Sequence, residues 1–173
     1  MSTERDLLLG EWACLGLLYE QPGHGFAVAE LLRPGGELGR IWSLSRPLTY
    51  RSIDVLIERG LLVAVGSEPG SSGPDRTMLR ATRQGRAELR TWVRTPVEHL
   101  RDLRSSLLLK ITIAERCHIG IDEMLDAQRA RVADRAAALR AQAFGSDGEV
   151  SDPVALWRFE MSDAGLRFLD RIR

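Results

Sequence analysis

The chain has 173 residues, 44% of them hydrophobic and 28% charged, which suits one domain plus an extension and allows a modest buried core. Its 24 basic and 24 acidic side chains cancel, so affinity for nucleic acid cannot rest on net charge and has to come from local patterning. Cys14 and Cys117 are far apart and make no metal-ligand spacing, no cofactor is implied, and the apolar run from Trp12 to Tyr19 is too short for a membrane span. A cytoplasmic location is expected. Lys110 is the one lysine, so arginine supplies nearly all the positive charge.

In chain order, residues about 5 to 20 form a first helix with Leu8, Trp12, Leu15 and Tyr19 down one face. Gln21 to Gly25 breaks it, and Phe26 to Arg33 forms the second. Pro34-Gly35-Gly36 turns the chain toward Ile41 and Trp42, expected beneath a third helix. That third helix begins with Ser45 as N-cap and Pro47 in its first turn, where a missing N–H costs nothing. Tyr50, Ile53, Leu56 and Ile57 recur at helical spacing and predict its buried stripe. Arg46, Thr49, Arg51 and Ser52 fall largely off that stripe. No acidic residue occurs between Glu37 and Asp54, while Arg40, Arg46 and Arg51 do.

Leu61 to Val65 is a short apolar strand, Gly66 to Asp75 is dominated by turn formers, and Arg76 to Ala81 returns as a second strand. Thr82 is placed to cap a following helix that carries Ala87, Leu89, Trp92 and Val93. Pro96 ends that helix, and Leu107 to Arg116 forms another. Ile121 to Phe144 is a long helix with Ile121, Leu125, Gln128, Val132, Ala136, Leu139 and Ala143 on one stripe. After the polar linker Gly145 to Asp152, Asp152-Pro153 starts a last helix with Trp157, Met161, Ala164, Phe168 and Ile172 on one side.

A short helix with an arginine- and hydroxyl-bearing outer face suits the DNA major groove, where Arg reads guanine and Ser or Thr reads either strand. The hairpin behind it is a wing in this setting; alone it reads equally well as a solvated hairpin with surface arginines. Arg46, Thr49, Tyr50 and Arg51 are the helix candidates for DNA contact. The Tyr50 ring fits the core stripe while its hydroxyl can reach outward. Ser43 and Ser45, ahead of the helix, can offer backbone N–H groups to phosphate. Ser71, Ser72 and Arg76 would meet the flanking backbone or minor groove, whereas strand alternation can turn Arg80 across the sheet.

These residues resemble the PadR family of transcriptional regulators. Its Tyr-x-x-aliphatic-x-x-Leu helix ending in Glu-x-Gly-aliphatic is matched by Tyr50, Ile53, Leu56, Glu58, Gly60 and Leu61. The wing's Gly-Pro-x-Arg segment is matched by Gly73-Pro74-Asp75-Arg76, and the Leu-Thr-x-x-Gly helix start by Ala81-Thr82-Arg83-Gln84-Gly85. Upstream, Gly23-His24-Gly25-Phe26 matches the Gly-x-Gly-aromatic start of the second helix. The motifs span about residues 7 to 110; Leu79, where many members carry an aromatic residue, and Ala81, in place of the usual Leu, depart from the pattern.

The fold class this implies is mainly α with a small β-hairpin wing: a winged helix-turn-helix DNA-binding domain over 1–95 and a helical dimerisation and effector region over 96–173. The resemblance implies a homodimer, and two-fold symmetry then demands an inverted-repeat operator on double-stranded DNA, with half-sites about 10 bp or more apart. The alternative for the last two helices is that they fold back on the winged domain. Some family members hold aromatic effectors near the dimer interface; Trp12, Trp92, Trp157 and Phe168 are the residues that could line such a site, though core or interface packing accounts for each of them first. The leading reading is a dimeric repressor released by a small molecule. A winged-helix module that binds protein instead of DNA is the runner-up, favoured by the neutral charge. An enzyme is not expected, because His24, His99 and His118 are scattered and no Gly-x-Ser-x-Gly, Walker or His-Glu-x-x-His element is present.

Overall fold

The structure, a computed structural model, describes residues 6–69, 75–146 and 148–172. Its elements are α1 (Leu9–Glu20), β1 (Gly23–His24), α2 (Gly25–Leu32), α3 (Arg46–Glu58), β2 (Leu62–Glu68), β3 (Arg76–Ala81), α4 (Arg83–Val93), α5 (Leu108–Arg116), α6 (Asp122–Ala143) and α7 (Pro153–Arg171), with a 3₁₀ turn at Leu100–Asp102 and a π-helical turn at Leu103–Leu107 before α5. The chain divides into two compact units, Met1–Val93 with Leu108–Gly120, and Arg94–Leu107 with Ile121–Arg173. The helix α5 thus counts with the first unit.

In the first unit α1 is the central helix. The expected single apolar face is too narrow a description: Gly10, Ala13, Cys14, Leu15, Gly16, Leu17 and Leu18 are all buried, while Leu8 is exposed. Small residues make this possible. A Cβ on Gly16 would lie 2.6 Å from Ile113 Cδ1 of α5, so the two helices meet where only hydrogen fits. Around α1 pack α2, α3, α4, α5 and β3. Leu15, Leu18, Leu32, Leu38, Leu56, Leu61, Leu89 and Leu109 are fully buried, each contributing about 1.5–3 kcal/mol relative to exposure. In the α2–α3 connection Leu38 is fully buried, whereas Ile41 is only partly buried and Trp42, expected beneath the third helix, is exposed. Arg116 of α5 ties this unit together at its edge, pairing with Glu20 at 2.6 Å and with Glu37 of the α2–α3 connection.

The sheet has the order β1-β3-β2, antiparallel throughout. Within β3, Leu79 and Ala81 are buried while Arg80 is exposed, so alternation does turn Arg80 away from the core. The small Ala81 is buried at 3% exposure.

In the second unit α6 and α7 run antiparallel, with Arg129 bound to Asp170 at 2.5 Å and Gly165 facing Val132. The buried stripe of α6 comprises Met124, Leu125, Gln128, Val132, Ala136, Leu139 and Ala143, close to that read from the sequence. The Gln128 amide is satisfied by the Val97 backbone, accepting from its N–H at 2.7 Å and donating to its carbonyl at 3.2 Å. Asp152 caps α7 by accepting from Val154 and Ala155 N–H. From α7 the residues Ala155, Ser162 and Leu169 turn inward. Its apolar series Val154, Trp157, Met161, Phe168 and Ile172 is exposed.

Candidate nucleic-acid interface

Local chemistry defines both ends of α3. Ser45 is its N-cap in extended conformation without a side-chain cap bond, and Pro47 occupies the first turn. At the other end Gly60 takes φ +69°, which L side chains adopt at a cost, and the N–H groups of Gly60 and Leu61 close on the carbonyls of Ile57 and Leu56. Leu56 and Leu61 are both fully buried beneath this closure.

The hairpin is then tied directly to that helix end. Thr82 Oγ1 donates to the Gly60 carbonyl at 2.8 Å and accepts from Gly85 N–H at 3.0 Å, while Thr82 N–H donates to Leu61 at 2.9 Å. Gly85 is required here because a Cβ would sit 2.3 Å from the Leu61 carbonyl oxygen. The Thr-x-x-Gly pattern is therefore a joint between wing and helix. A bulge between Ala64 and Gly66 bends β2 on its way out.

At the other end of α3 a cluster of charge and aromatic surface forms. The guanidinium carbons of Arg46 (α3) and Arg76 (β3) lie 4.7 and 5.1 Å from the Phe26 ring centroid. Arg46 also approaches Glu30 at 3.5 Å, and Glu30 accepts from Arg33 at 3.2 Å. His24 Nδ1 accepts from Ala27 N–H at 3.0 Å and so caps α2. In the neutral ring the proton then sits on Nε2, so the 3.4 Å approach of Arg76 to Nε2 is packing, donor beside donor. Gly25 admits the Tyr50 ring, whose Cε1 would be 2.6 Å from a Cβ there.

The expected contact residues divide under this geometry. Arg46 and Arg51 are exposed on α3, Arg51 without an ion pair to any described residue. Arg76 is half-buried beside Phe26. Ser43 and Ser45 are exposed. Tyr50 divides as its chemistry suggested, ring edge on Gly25 and 42% of the residue open. Thr49 is a correction: it is fully buried, its hydroxyl donating to the Ser45 carbonyl at 3.1 Å, and it cannot face outward. Ile57, expected in the core, is exposed instead. Ser71 and Ser72 lie outside the described residues. Phe26, Glu30 and His24 were not read as site residues, although the Gly-x-Gly-aromatic motif marked two of them; Leu48, 51% exposed beside Arg51, carried no sequence signal beyond breaking the polar face.

Of the aromatic residues considered for an effector, Trp12 and Trp92 stack on each other, centroids 4.9 Å apart and planes 10° from parallel. The buried Lys110 places its Nζ 5.0 Å from the Trp92 ring. Trp157 and Phe168 belong to the exposed series on α7 of the second unit.

Three helices with an antiparallel wing behind the third define a winged helix-turn-helix fold, here mainly α with one small sheet. No family model and no curated protein matches the chain. Among solved structures it is similar to Bacillus subtilis PadR in complex with operator DNA, at 18% identity and a TM-score of 0.48, covering 94% of this chain and 96% of that one.

Proposed function

We propose that this protein is a sequence-specific DNA-binding transcription regulator. One observation carries the reading: helix and wing each bring an arginine to a single exposed aromatic ring, beside a helix face whose first half holds no acidic residue. Arginines so placed neutralise phosphates, and Arg51 with Leu48 faces outward where base edges are read. Ser43, Ser45 and Tyr50 complete the contact set on the helix side, with Ser71, Ser72 and Arg76 on the wing. Thr49 leaves it.

In this reading residues 1–95 bind DNA, and 96–173 form the dimerisation and effector region of a cytoplasmic homodimer that recognises an inverted repeat. Exposed apolar side chains at intervals of three, four, seven and four along α7 favour a second copy as their cover. The protein acts as a repressor released by an aromatic small molecule; the stacked Trp12 and Trp92 in the first unit and, separately, the exposed Trp157 and Phe168 in the second are the candidate contacts. No catalytic role is proposed. Among the described residues no helix is long and apolar enough to cross a membrane.

Capture of sheared genomic DNA from the source organism at moderate salt tests the reading. Retained fragments sharing an inverted repeat support a dimeric regulator. A random set, or no retention even at low salt, overturns it and favours a winged-helix module that binds protein.

A further inference from the structure

We infer that Phe26 is a positioning residue that couples the recognition helix to the wing, holding Arg46 and Arg76 as one paired cation for the DNA backbone. The inference rests on the DNA-binding reading above and concerns how that surface is built. Phe26 keeps 37% of its surface exposed although it is a large apolar side chain at the start of a helix. It is not among the buried residues of α2, which are Gly25, Val28, Ala29 and Leu32. Its ring neighbours are His24, tilted at 6.3 Å, and charge. Two guanidinium groups, from elements separated by the whole hairpin, lie within 5.1 Å of its centroid.

The ring has a particular task, because Arg76 makes no ion pair with any described residue, not even with Glu68 opposite it in the sheet register. His24 offers it a nitrogen that already carries a proton while the α2 cap is intact. Glu30 also holds Arg46 at 3.5 Å, and the π face of Phe26 is the attractive partner common to both arginines. Their mutual distance is bounded at about 10 Å, about one Debye length at 0.1 M salt, so they repel each other and answer to the same phosphates. An arginine free in solvent loses rotamer freedom when it docks; one already resting on a ring loses less. Phe26 therefore orders both side chains before DNA arrives and makes their contributions interdependent.

The test is a double-mutant cycle on the full-length protein, read by fluorescence anisotropy with a labelled 30-bp duplex of random sequence at low salt. Arg46→Ala, Arg76→Ala and the double variant are compared with Phe26 intact and in Phe26→Leu. With Phe26 present, the double variant should lose at least threefold less affinity than the product of the single losses. In Phe26→Leu the losses should multiply, and Phe26→Trp, which keeps a π face, should restore the coupling. Side-chain Nε–Hε NMR of the free protein should show both arginines becoming more mobile in Phe26→Leu. Wild-type binding with losses that multiply in every background overturns the coupling and leaves the DNA reading intact. Absence of salt-sensitive binding by the wild type overturns the DNA reading, and this inference with it.

Discussion

If α7 carries the proposed dimer interface, truncating Trp157 to alanine should convert that dimer to a folded monomer. A tryptophan side chain buries up to about 250 Å², and Trp157 is 64% exposed in the isolated chain. It therefore offers about 150 Å² to a partner, worth at most about 4 kcal/mol at about 25 cal/mol per Å². Imperfect packing and the retained Cβ bring this to about 2 kcal/mol per copy. Two-fold symmetry places the residue twice in the interface, so the loss is about 4 kcal/mol and the dimer Kd rises about a thousandfold. Sedimentation equilibrium across a hundredfold range of protein concentration reads that shift directly. Urea unfolding of Trp157→Ala below the dimer Kd should match monomeric wild type within about 0.5 kcal/mol, since the side chain contributes little to its own fold. A Trp157→Ala protein that dimerises like wild type would refute the assignment of this face to a second copy.

Thr82→Ala removes one hydrogen bond to the end of α3 and the N-cap bond of α4, and should cost about 1–2 kcal/mol in urea unfolding; a loss below about 0.3 kcal/mol would show that the joint is not made. His118 sits at φ +52° after α5, so His118→Gly relieves about 1–2 kcal/mol of backbone strain and gives back about 0.4–1 through a freer unfolded chain. The net gain of about 0.5 kcal/mol is visible as a higher Tm, and a lower Tm would contradict it. Burial pushes the Cys14 thiol up to about 12 and the half-buried Cys117 up to about 11, with nearby Glu11 and Glu20 adding to the respective rises. At pH 8 both stay protonated and Ellman's reagent should titrate them only after denaturation; the stability they confer by staying protonated is lost as the pH climbs from the ordinary thiol range toward 12. Rapid labelling of Cys14 in the native protein would contradict its burial. Arg51→Ala should cost about 1–3 kcal/mol on a captured operator and relax its sequence preference; equal loss on operator and random duplex would rule out base reading there.

Features written in local chemistry were legible in the sequence. Asp152-Pro153, Ser45 with Pro47, and Thr82 with Gly85 mark helix starts because capping needs only a few neighbouring residues. The stripe of α6 was legible because it repeats over six turns. Helix phase over a shorter stretch was not. Residues 49 and 50 flank the same edge of α3, and the pattern beginning at Tyr50 was as good as one beginning at Thr49. A threonine that returns its hydroxyl to the backbone is cheap to bury, and Gly25 gives the tyrosine ring somewhere else to lie. The Phe26 cluster joins three residues from three elements, so no window of sequence contains it.

Both ends of α3 are tied to the sheet, and this limits how the protein can be controlled. Thr82 and Gly60 join the helix C-terminus to the start of α4, and Phe26 joins Arg46 to Arg76 at the N-terminus. A tilt of α3 alone would break the Thr82 bonds at one end and separate the arginines at the other. The helix and the wing therefore move as one body. In the proposed dimeric regulator, a small molecule would then lower DNA affinity by binding better to a state in which that whole body is misplaced relative to its twin. In the dimer proposed above, that makes the distance between the two recognition helices the controlled quantity. Cross-linking between recognition helices of the two copies should accordingly change on effector binding, while the chemical environment of Thr82 should not.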